Sequence, residues 1–293
     1  MNLHRHISTV FIVPLFLFGC TQTNKETENV RLESDGITPL RIIKHYIVNN
    51  LQLCKTNHRT RINIPPQKAD REKDRAFCKQ IRSFINIMVR PLIKDNQYTK
   101  GVFRISDSIT ISDGTKFQLE IFIGADGKTD SQNIFGAEGA SIKMDDSFNE
   151  KQHAIIFAFA GNGTNALNGK GGTGGDVDAI VGAHSLIIAA AGNGGESLGK
   201  GTDGGDGGDA QIRIDAQSEG SQAIACGGDG GSAKIKASSK NLDIRTVGGD
   251  GGNGGRDDGN GGDGGAANNR ASEDFPEDVI RATGGNGGNA RGQ

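Results

Sequence analysis

The sequence predicts a mainly β fold, built as a glycine-rich, solenoid-like repeat and preceded by a small α-helical hairpin domain. Of its 46 glycines, 42 lie at or after Gly124, because only four precede that residue. These glycines stand in fixed register with short apolar strands, as in AIACGGDGGSAKIK from Ala223 to Lys236. A flexible linker has no reason to keep such a register, so the pattern indicates a repeat architecture.

Residues 1–19 have the pattern of a secretory signal peptide. Arg5 gives a positive start, and the apolar stretch from Val10 to Phe18 is shorter than the roughly 20 residues that span a bilayer. The segment ends in Leu17-Phe18-Gly19-Cys20, which resembles the lipobox of bacterial lipoproteins. This resemblance implies cleavage before Cys20, acylation of its thiol and its new amine, and membrane attachment through those chains.

The residues after Cys20 bear on location. Enterobacterial lipoproteins with Asp after the lipidated Cys tend to stay in the inner membrane, and this chain has Thr21 there. The resemblance therefore implies a bacterial cell envelope protein anchored in the outer membrane, with surface or periplasmic orientation left open. Residues 20–35 have almost no apolar content and are expected to be a solvated tether.

Residues 36–100 are predicted to be a basic α-helical head. Between Arg31 and Lys100 there are 15 Lys and Arg against 6 Asp and Glu, a net charge of +9, whereas from Gly101 onward 16 against 27 gives −11. Thr38 and Pro39 are typical of a helix start, and a second helix is expected to run from near Asp70 to Pro91. The apolar positions predicted for the first helix are Leu40, Ile43, Ile47 and Leu51, and those for the second are Phe77, Ile81, Phe84, Ile85 and Met88.

Three cysteines remain if Cys20 carries lipid. Export to an oxidising compartment makes Cys54–Cys78 a candidate disulfide that would join the two helices. Cys226, within an apolar strand beside glycines, is then expected to be a buried free thiol. No Cys or His spacing suggests a metal site.

Basic residues are concentrated between the helices and on the second helix. One hypothesis is that they contact an anionic component of the envelope by charge attraction. The alternative is a solvated helix face balanced by Asp70, Glu72 and Asp74, and the export signal argues against a nucleic acid partner. The residues are Arg59, Arg61, Lys68, Arg71, Lys73, Arg75, Lys79 and Arg82.

Residues 101–293 are predicted to form six repeat units after a β-hairpin with its turn at Asp113-Gly114. The first strands of the units end at Gly124, Gly161, Gly192, Gly227, Gly248 and Gly284, and the return strands follow Gly139, Gly175, Gly208, Gly231, Gly265 and Gly288. In two of the units, a bare GGxGG joins the first strand to the return strand. The other four carry insertions after Gly124, Gly161, Gly192 and Gly248.

The insertions contain GGx runs with a period of three, the period of a polyproline-II-like helix. Over roughly residues 160–293 this composition resembles the polyglycine-II sandwiches of some bacteriophage tail adhesins. The resemblance implies close-packed glycine helices with their polar residues pointing outward. The alternative is that the insertions are irregular loops on a β-solenoid.

Several kinds of chemistry are disfavoured. Asp176 and Asp209 fit part of a calcium-binding glycine repeat, but Asp178 and Gln211 occupy the position where that repeat needs a large apolar residue. Ice binding, which some glycine-rich helix bundles perform, is disfavoured because Thr is sparse and the outward residues are charged. The histidines after the signal do not pair with a nucleophile or metal ligand, and no cofactor motif is present. These histidines are His45, His58, His153 and His184.

The sequence therefore favours a non-catalytic protein that uses no cofactor. Recognition or adhesion at the cell surface through the insertions, towards a protein or cell-surface partner, is the preferred hypothesis. A structural role in the envelope is the alternative, and a calcium-binding repeat protein or a secreted enzyme is favoured less.

Overall fold

Fourteen β-strands and two α-helices make up the part of the chain that the computed structural model describes. The described residues are 38–50, 52–56, 59–63, 71–110, 116–128, 136–146, 154–167, 169–181, 185–197, 202–214, 221–237, 243–250, 266–271 and 279–283. The helices are α1 (Pro39–Asn50) and α2 (Arg71–Phe84), and α2 continues into a π-helical turn (Ile85–Val89) and a 3-10 turn (Arg90–Leu92), followed by a second 3-10 turn (Asp95–Gln97). The strands are β1 (Gln52–Thr56), β2 (Arg59–Asn63), β3 (Val102–Thr110), β4 (Lys116–Gly124), β5 (Ile142–Asp146), β6 (Ala154–Phe159), β7 (Val177–Val181), β8 (Leu186–Ala190), β9 (Ala210–Ile214), β10 (Gln222–Cys226), β11 (Ala233–Ala237), β12 (Asp243–Val247), β13 (Ala267–Ala271) and β14 (Val279–Thr283).

From β4 onward the chain forms a parallel β-solenoid of two sheets. Sheet 1 has the order β14-β12-β10-β8-β6-β4-β3, and sheet 2 has the order β13-β11-β9-β7-β5. Successive strands alternate between the sheets, so the chain coils, and the strand pairs within each sheet are parallel except β3 with β4. The antiparallel β3–β4 hairpin is the one that the sequence predicts, and β3 occupies one edge of sheet 1.

Eleven of the twelve repeat strands predicted from glycine spacing lie in the two sheets of the solenoid. All six predicted first strands lie in sheet 1, as β4, β6, β8, β10, β12 and β14. Five of the six return strands lie in sheet 2, as β5, β7, β9, β11 and β13. The sixth return segment, residues 289–291, lies outside the described residues.

Sheet 1 is buried on both faces, which explains why its strands β6 and β8 are apolar at every position rather than at alternate ones. On one face, side chains such as Phe157 and Ile188 pack in a core with residues of α1 and α2. On the other face, Ile156 and Ile187 pack against Ile212 and other residues of sheet 2. Sheet 2 has buried and exposed positions in alternation along β9 and β11, so its outer face meets solvent.

The two predicted helices form where the sequence places them, and a β-hairpin of β1 and β2 lies between them in the chain. Thr38 caps α1: its Oγ1 accepts a hydrogen bond from the Arg41 N–H at 3.4 Å. Apolar residues of both helices share one core with sheet 1, so their burial depends on the solenoid. A helix packed on a sheet in this way gains most of its stability from that contact.

The prediction for one residue of the apolar helical face is wrong. Met88 was expected to be buried, but its side chain is 48% exposed. The π-helical turn contains one residue more than an α-helical turn, so Val89 follows Ile85 into the core in place of Met88.

The predicted Cys54–Cys78 disulfide is also wrong. Cys78 of α2 is bonded to Cys226 of β10, with 5.8 Å between the Cα atoms and a sequence separation of 148. Because α2 lies over sheet 1, Cys78 meets a strand that is distant in sequence, and Cys226 is therefore not the buried free thiol that was expected. Cys54 lies in β1, and its side chain is outside the described part of the structure.

The stacked pair of Tyr46 and Phe84 predicts a pH dependence of stability. The ring centroids are 4.1 Å apart, and burial raises the pKa of Tyr46 to about 12. An unfolded Tyr ionises near pH 10, so its contribution to stability is present below about pH 10 and falls by about 1.4 kcal/mol per pH unit up to about pH 12. Urea unfolding from neutral to alkaline pH measures this loss. Tyr46→Phe is expected to have a shallower alkaline slope, and an unchanged slope would contradict the assignment to Tyr46.

Candidate functional site

Three of the predicted insertions, those after Gly124, Gly161 and Gly192, leave the solenoid at the carboxyl ends of the strands of sheet 1. Most of the fourth, residues 251–265, lies outside the described residues. Because the strands of the repeat are parallel within sheet 1, their carboxyl ends lie together, and glycine-rich segments run outward from there and return to sheet 2. We call residues 124–128, 161–167 and 192–197 the outgoing tracts, and residues 136–141, 169–176 and 202–209 the return tracts. The two sets form two adjacent layers, which we call the tract slab.

Within each layer, backbone hydrogen bonds repeat every third residue. In the outgoing layer, the N–H groups of residues 160, 163 and 166 donate to the carbonyl oxygens of residues 190, 193 and 196, at 2.8 to 2.9 Å. In the return layer, the N–H groups of residues 171, 174 and 177 donate to those of residues 203, 206 and 209, at 2.9 to 3.2 Å. This three-residue period differs from the two-residue period of the strands.

A second set of hydrogen bonds crosses between the layers. Gly175 N–H donates to Gly161 O at 2.8 Å, Gly192 N–H to Gly175 O at 2.9 Å, and Gly208 N–H to Gly192 O at 2.9 Å. A parallel series, displaced by three residues, joins Gly172 to Thr164 and Gly195 to Gly172. Each tract is therefore tied to its own partner and to the next turn of the solenoid.

Close approach of backbones explains the glycines of the slab. A Cβ atom on Gly205 would lie 2.6 Å from the carbonyl carbon of Gly172 and closer still to its oxygen. Among the described glycines, positive φ is found at Gly101 and Gly230, so the slab does not rely on left-handed backbone. Gly230, with φ 84°, belongs to the turn closed by the hydrogen bond from Gly231 N–H to Gly228 O. That turn lies in the bare joint and needs glycine for its conformation.

Asx side chains add a ladder along the start of the outgoing tracts. Asn162 N–H donates to Asp126 Oδ1 at 2.7 Å, Asn193 N–H donates to Asn162 Oδ1 at 3.0 Å, and Asp229 N–H donates to Asn193 Oδ1 at 3.3 Å. Each side chain therefore binds the equivalent residue one turn later.

A second ladder runs along the ends of the return tracts. Asp209 N–H donates to Asp176 Oδ1 at 2.7 Å, and Ser232 N–H donates to Asp209 Oδ1 at 2.6 Å. These two aspartates were the calcium candidates of the sequence, and here an oxygen of each holds the neighbouring backbone. Among the described residues, no group of three His, Cys, Asp or Glu side chains is placed to hold a metal ion.

The helical segment binds the carboxyl ends of the strands of sheet 1, where the tracts begin. Arg90 donates to the backbone carbonyls of Gly124 and Ala160 and to Asp126 Oδ1, the last at 2.7 Å. Arg82 donates to the carbonyls of Cys226 and Gly227. Burial lowers the pKa of both guanidinium groups, but arginine remains charged because its ordinary pKa is so high.

The spacing of the two arginines matches the spacing of the strands. Eight helical residues separate Arg82 from Arg90, about 12 Å at about 1.5 Å per residue. Arg90 bridges β4 and β6 and Arg82 reaches β10, so they are two to three strand spacings apart, also about 12 Å at about 4.8 Å each. Lys79 continues the series with an ion pair to Asp250 at 2.8 Å. We call Lys79, Arg82 and Arg90 the clamp, because α2 and the turns that continue it bind successive turns of the solenoid through these three residues.

Arg90→Met is expected to lower the free energy of unfolding by about 2 to 3 kcal/mol, because buried carbonyls lose a charged donor. Arg90→Lys is expected to recover part of the loss, since one ammonium group does not replace the forked guanidinium. Lys128→Met is the control, because the Lys128–Asp95 pair at 2.9 Å is mostly exposed and is worth at most about 1 kcal/mol. Chemical denaturation measures all three, and equal stability of Arg90→Met and Lys128→Met would contradict the clamp.

Comparison with known proteins gives little further guidance. No family model matches the chain, and no curated protein matches it. The chain is similar to a solved structure of a springtail antifreeze protein from Granisotoma rainieri, described as a nine polyproline type II helical bundle, with 21% identity over 58% of this chain and 95% of that chain. The TM-score is 0.14, so the likeness establishes neither fold nor function.

The structure separates the residues of the predicted basic cluster. Arg82 is partly buried and bound to backbone carbonyls, and Lys79 is paired, so these two belong to the clamp. Sequence reasoning did not single out Arg90 or Asn86, although Lys79, Arg82, Asn86 and Arg90 have the spacing of one helical face. Cys20 and the segment around it lie outside the described residues. Within the described part of the chain, no helix has the length and apolar character needed to cross a membrane.

One outgoing tract ends in an exposed apolar side chain. Leu167 ends this tract and is 48% exposed. The preceding residue, Ala166, pairs with Ser197 in the next turn. In the sequence Leu198 follows Ser197, and it lies outside the described residues.

Proposed function

We propose that this protein is a non-catalytic, lipid-anchored envelope protein that recognises other surfaces through the tips of its glycine-rich insertions. The observation that carries the proposal is the hydrogen-bonded tract slab, in which one outgoing tract ends at the exposed Leu167. Leu167 at the end of this tract offers apolar surface that another molecule would remove from water. Pre-organisation in the slab lowers the entropy cost of that contact.

We infer that the tracts are polyglycine-II helices. The three-residue hydrogen-bond period and the close glycine contacts support this inference. In such a layer the backbone holds the shape and the residues between the glycines point outward. The tips would then be displayed on a stiff support rather than on loose loops.

Adhesion of cells displaying the full chain tests the proposal. Leu167→Ser/Leu198→Ser is expected to reduce attachment of these cells to polystyrene to the level of cells lacking the protein, with an unchanged melting temperature. Thr173→Ser/Asp206→Ser is the matched control, since it changes two polar residues of the return tracts away from the tips. Undiminished attachment of the leucine variant would contradict the assignment to the tips.

A structural role in the envelope is the alternative, favoured by the hydrogen bonds that tie the insertions into the solenoid. Proteolysis of intact cells distinguishes the two functions. A repeat body that recognises other surfaces must face outward, so an added protease is expected to cleave it. A body protected in intact cells, together with detergent sensitivity of cells lacking the protein, would favour the structural role.

We propose a lipid anchor at Cys20, because the Leu17-Phe18-Gly19-Cys20 motif resembles a lipobox. The Cys78–Cys226 disulfide supports export, since disulfides persist in oxidising compartments. Cys20→Ser is expected to abolish incorporation of labelled palmitate and to release the protein from the outer membrane fraction. Continued labelling of this variant would contradict lipidation at Cys20.

The α-helical head, residues 36–100, is proposed to contact an anionic envelope component through the cations that the clamp does not use. Lys73 is exposed on α2, and Arg59 and Arg61 belong to β2, the strand that precedes α2 in the chain. Neutralising these three residues in an unlipidated form is expected to reduce its association with isolated envelopes. Unchanged association would contradict this contact.

A further inference from the structure

Three successive strands of sheet 2 have a basic residue at the same register position. Arg213 pairs in register with Lys236, and Lys236 pairs with Arg270, so β9, β11 and β13 present a basic residue at the same position. Arg213 and Lys236 are exposed. The row runs along the solenoid axis with one charge per strand, at intervals of about 4.8 Å.

The neighbouring row on the same face is polar. Gln211 pairs with Lys234, and Lys234 pairs with Asn268, and all three are exposed. These three and the cationic row include no carboxylate. Both rows end at β7, where Asp178 lies next to Gln211 and Ile180 lies next to Arg213.

The fold does not require this arrangement. Like charges directly opposite each other on adjacent strands are destabilising. Among the described residues, Arg213, Lys234 and Lys236 form no ion pair that would offset the repulsion. The repeat region as a whole is acidic, with a net charge of −11 from 16 Lys and Arg against 27 Asp and Glu after Lys100. A bound anion would turn this repulsion into attraction.

We propose that this face binds a linear acidic polysaccharide lying along the solenoid axis. The cations of β9, β11 and β13 pair with its carboxylate or phosphate groups, and the amides of Gln211 and Asn268 bind its hydroxyl groups. The exposed positions of the described strands β9 and β11 include no aromatic residue on which the bases of a nucleic acid would stack. They also include no large apolar residue that would enter a membrane interface.

Binding of the full chain in detergent solution to immobilised polygalacturonate tests this proposal. The wild-type protein is expected to bind at low salt and to be released at high salt, with no binding to neutral dextran. Arg213→Gln/Lys236→Gln/Arg270→Gln is expected to weaken binding by about tenfold, if each exposed ion pair contributes about 0.5 kcal/mol. Its melting temperature is expected to stay the same or rise, because like charges are removed.

Lys94→Gln/Lys116→Gln/Lys128→Gln is the matched control, since it removes three exposed cations outside sheet 2 and the same net charge. Control binding close to wild type together with the tenfold loss supports the proposal. Equal binding by the two triple variants, or no binding by the wild type, overturns it. Stronger binding to phosphatidylglycerol vesicles or to single-stranded DNA through the same three cations also overturns it, in favour of a membrane or a nucleic acid. The leucine tips are unchanged in these variants, so the outcome is independent of the adhesion test.

Discussion

Replacing both Cys78 and Cys226 with alanine is expected to lower the free energy of unfolding by about 4 kcal/mol. The bond closes a loop with a sequence separation of 148, and both residues are buried in the core shared by α2 and sheet 1. Its loss enlarges the unfolded ensemble, since the helical segment is no longer tethered to the middle of the solenoid. Denaturant unfolding of the wild-type and double-variant proteins measures the difference.

Unfolding of the reduced wild-type protein distinguishes the effect of the cross-link on stability from the effect of removing the two sulfur atoms. Reduction leaves both sulfurs in the core, so it is expected to reproduce most of the loss seen with alanine. Any remaining difference reports the small cavities left by the missing atoms. If reduced and oxidised proteins unfold at the same denaturant concentration, the loop-closure argument fails.

Gly205→Ala is expected to cost about 3 kcal/mol or more, because the added methyl group would overlap the backbone of Gly172. Neither partner can move freely, since Gly172 N–H is bonded to Thr164 O and Gly205 N–H to Gly195 O. Hydrogen exchange is expected to show the damage locally, with lost protection at Gly195 and Gly205 and retained protection in sheet 1.

The adjacent residue provides the control for this change. Asp206 lies in the same tract, and its side chain forms a mostly exposed ion pair with Lys170 at 2.7 Å. Asp206→Ala is therefore expected to cost about 0.5 kcal/mol. If the two substitutions at neighbouring positions have equal effects, close backbone packing is not the reason for glycine here.

The strands of the repeat could be predicted from the sequence because each apolar segment ends at a glycine of fixed register. That spacing located β10 and β11 around Gly227 and Gly231, and the same rule located the four other strand pairs from β4 and β5 to β12 and β13. Helix signals at Thr38 and Pro39 were equally local, and α1 begins there. These features depend on residues close to one another in the chain.

The failures came from contacts between distant segments. Cys54 is much closer to Cys78 in sequence than Cys226 is, and the sequence does not reveal that α2 lies over β10. The π-helical turn that exposes Met88 has no local signal either. Arg82 was assigned to a cluster of basic surface residues, because its carbonyl partner Cys226 is more than a hundred residues away in the sequence.

The tract slab divides the chain into positions with very different freedom to evolve. Its hydrogen bonds join backbone groups, and its close contacts fall on glycines such as Gly172 and Gly205, which selection can rarely change. Residues between them, such as Lys170, Thr173 and Asp206, contribute their peptide groups whatever their side chains. A lineage could therefore change the chemistry displayed on this surface by single substitutions without redesigning the scaffold, and new insertions could lengthen the display one turn at a time.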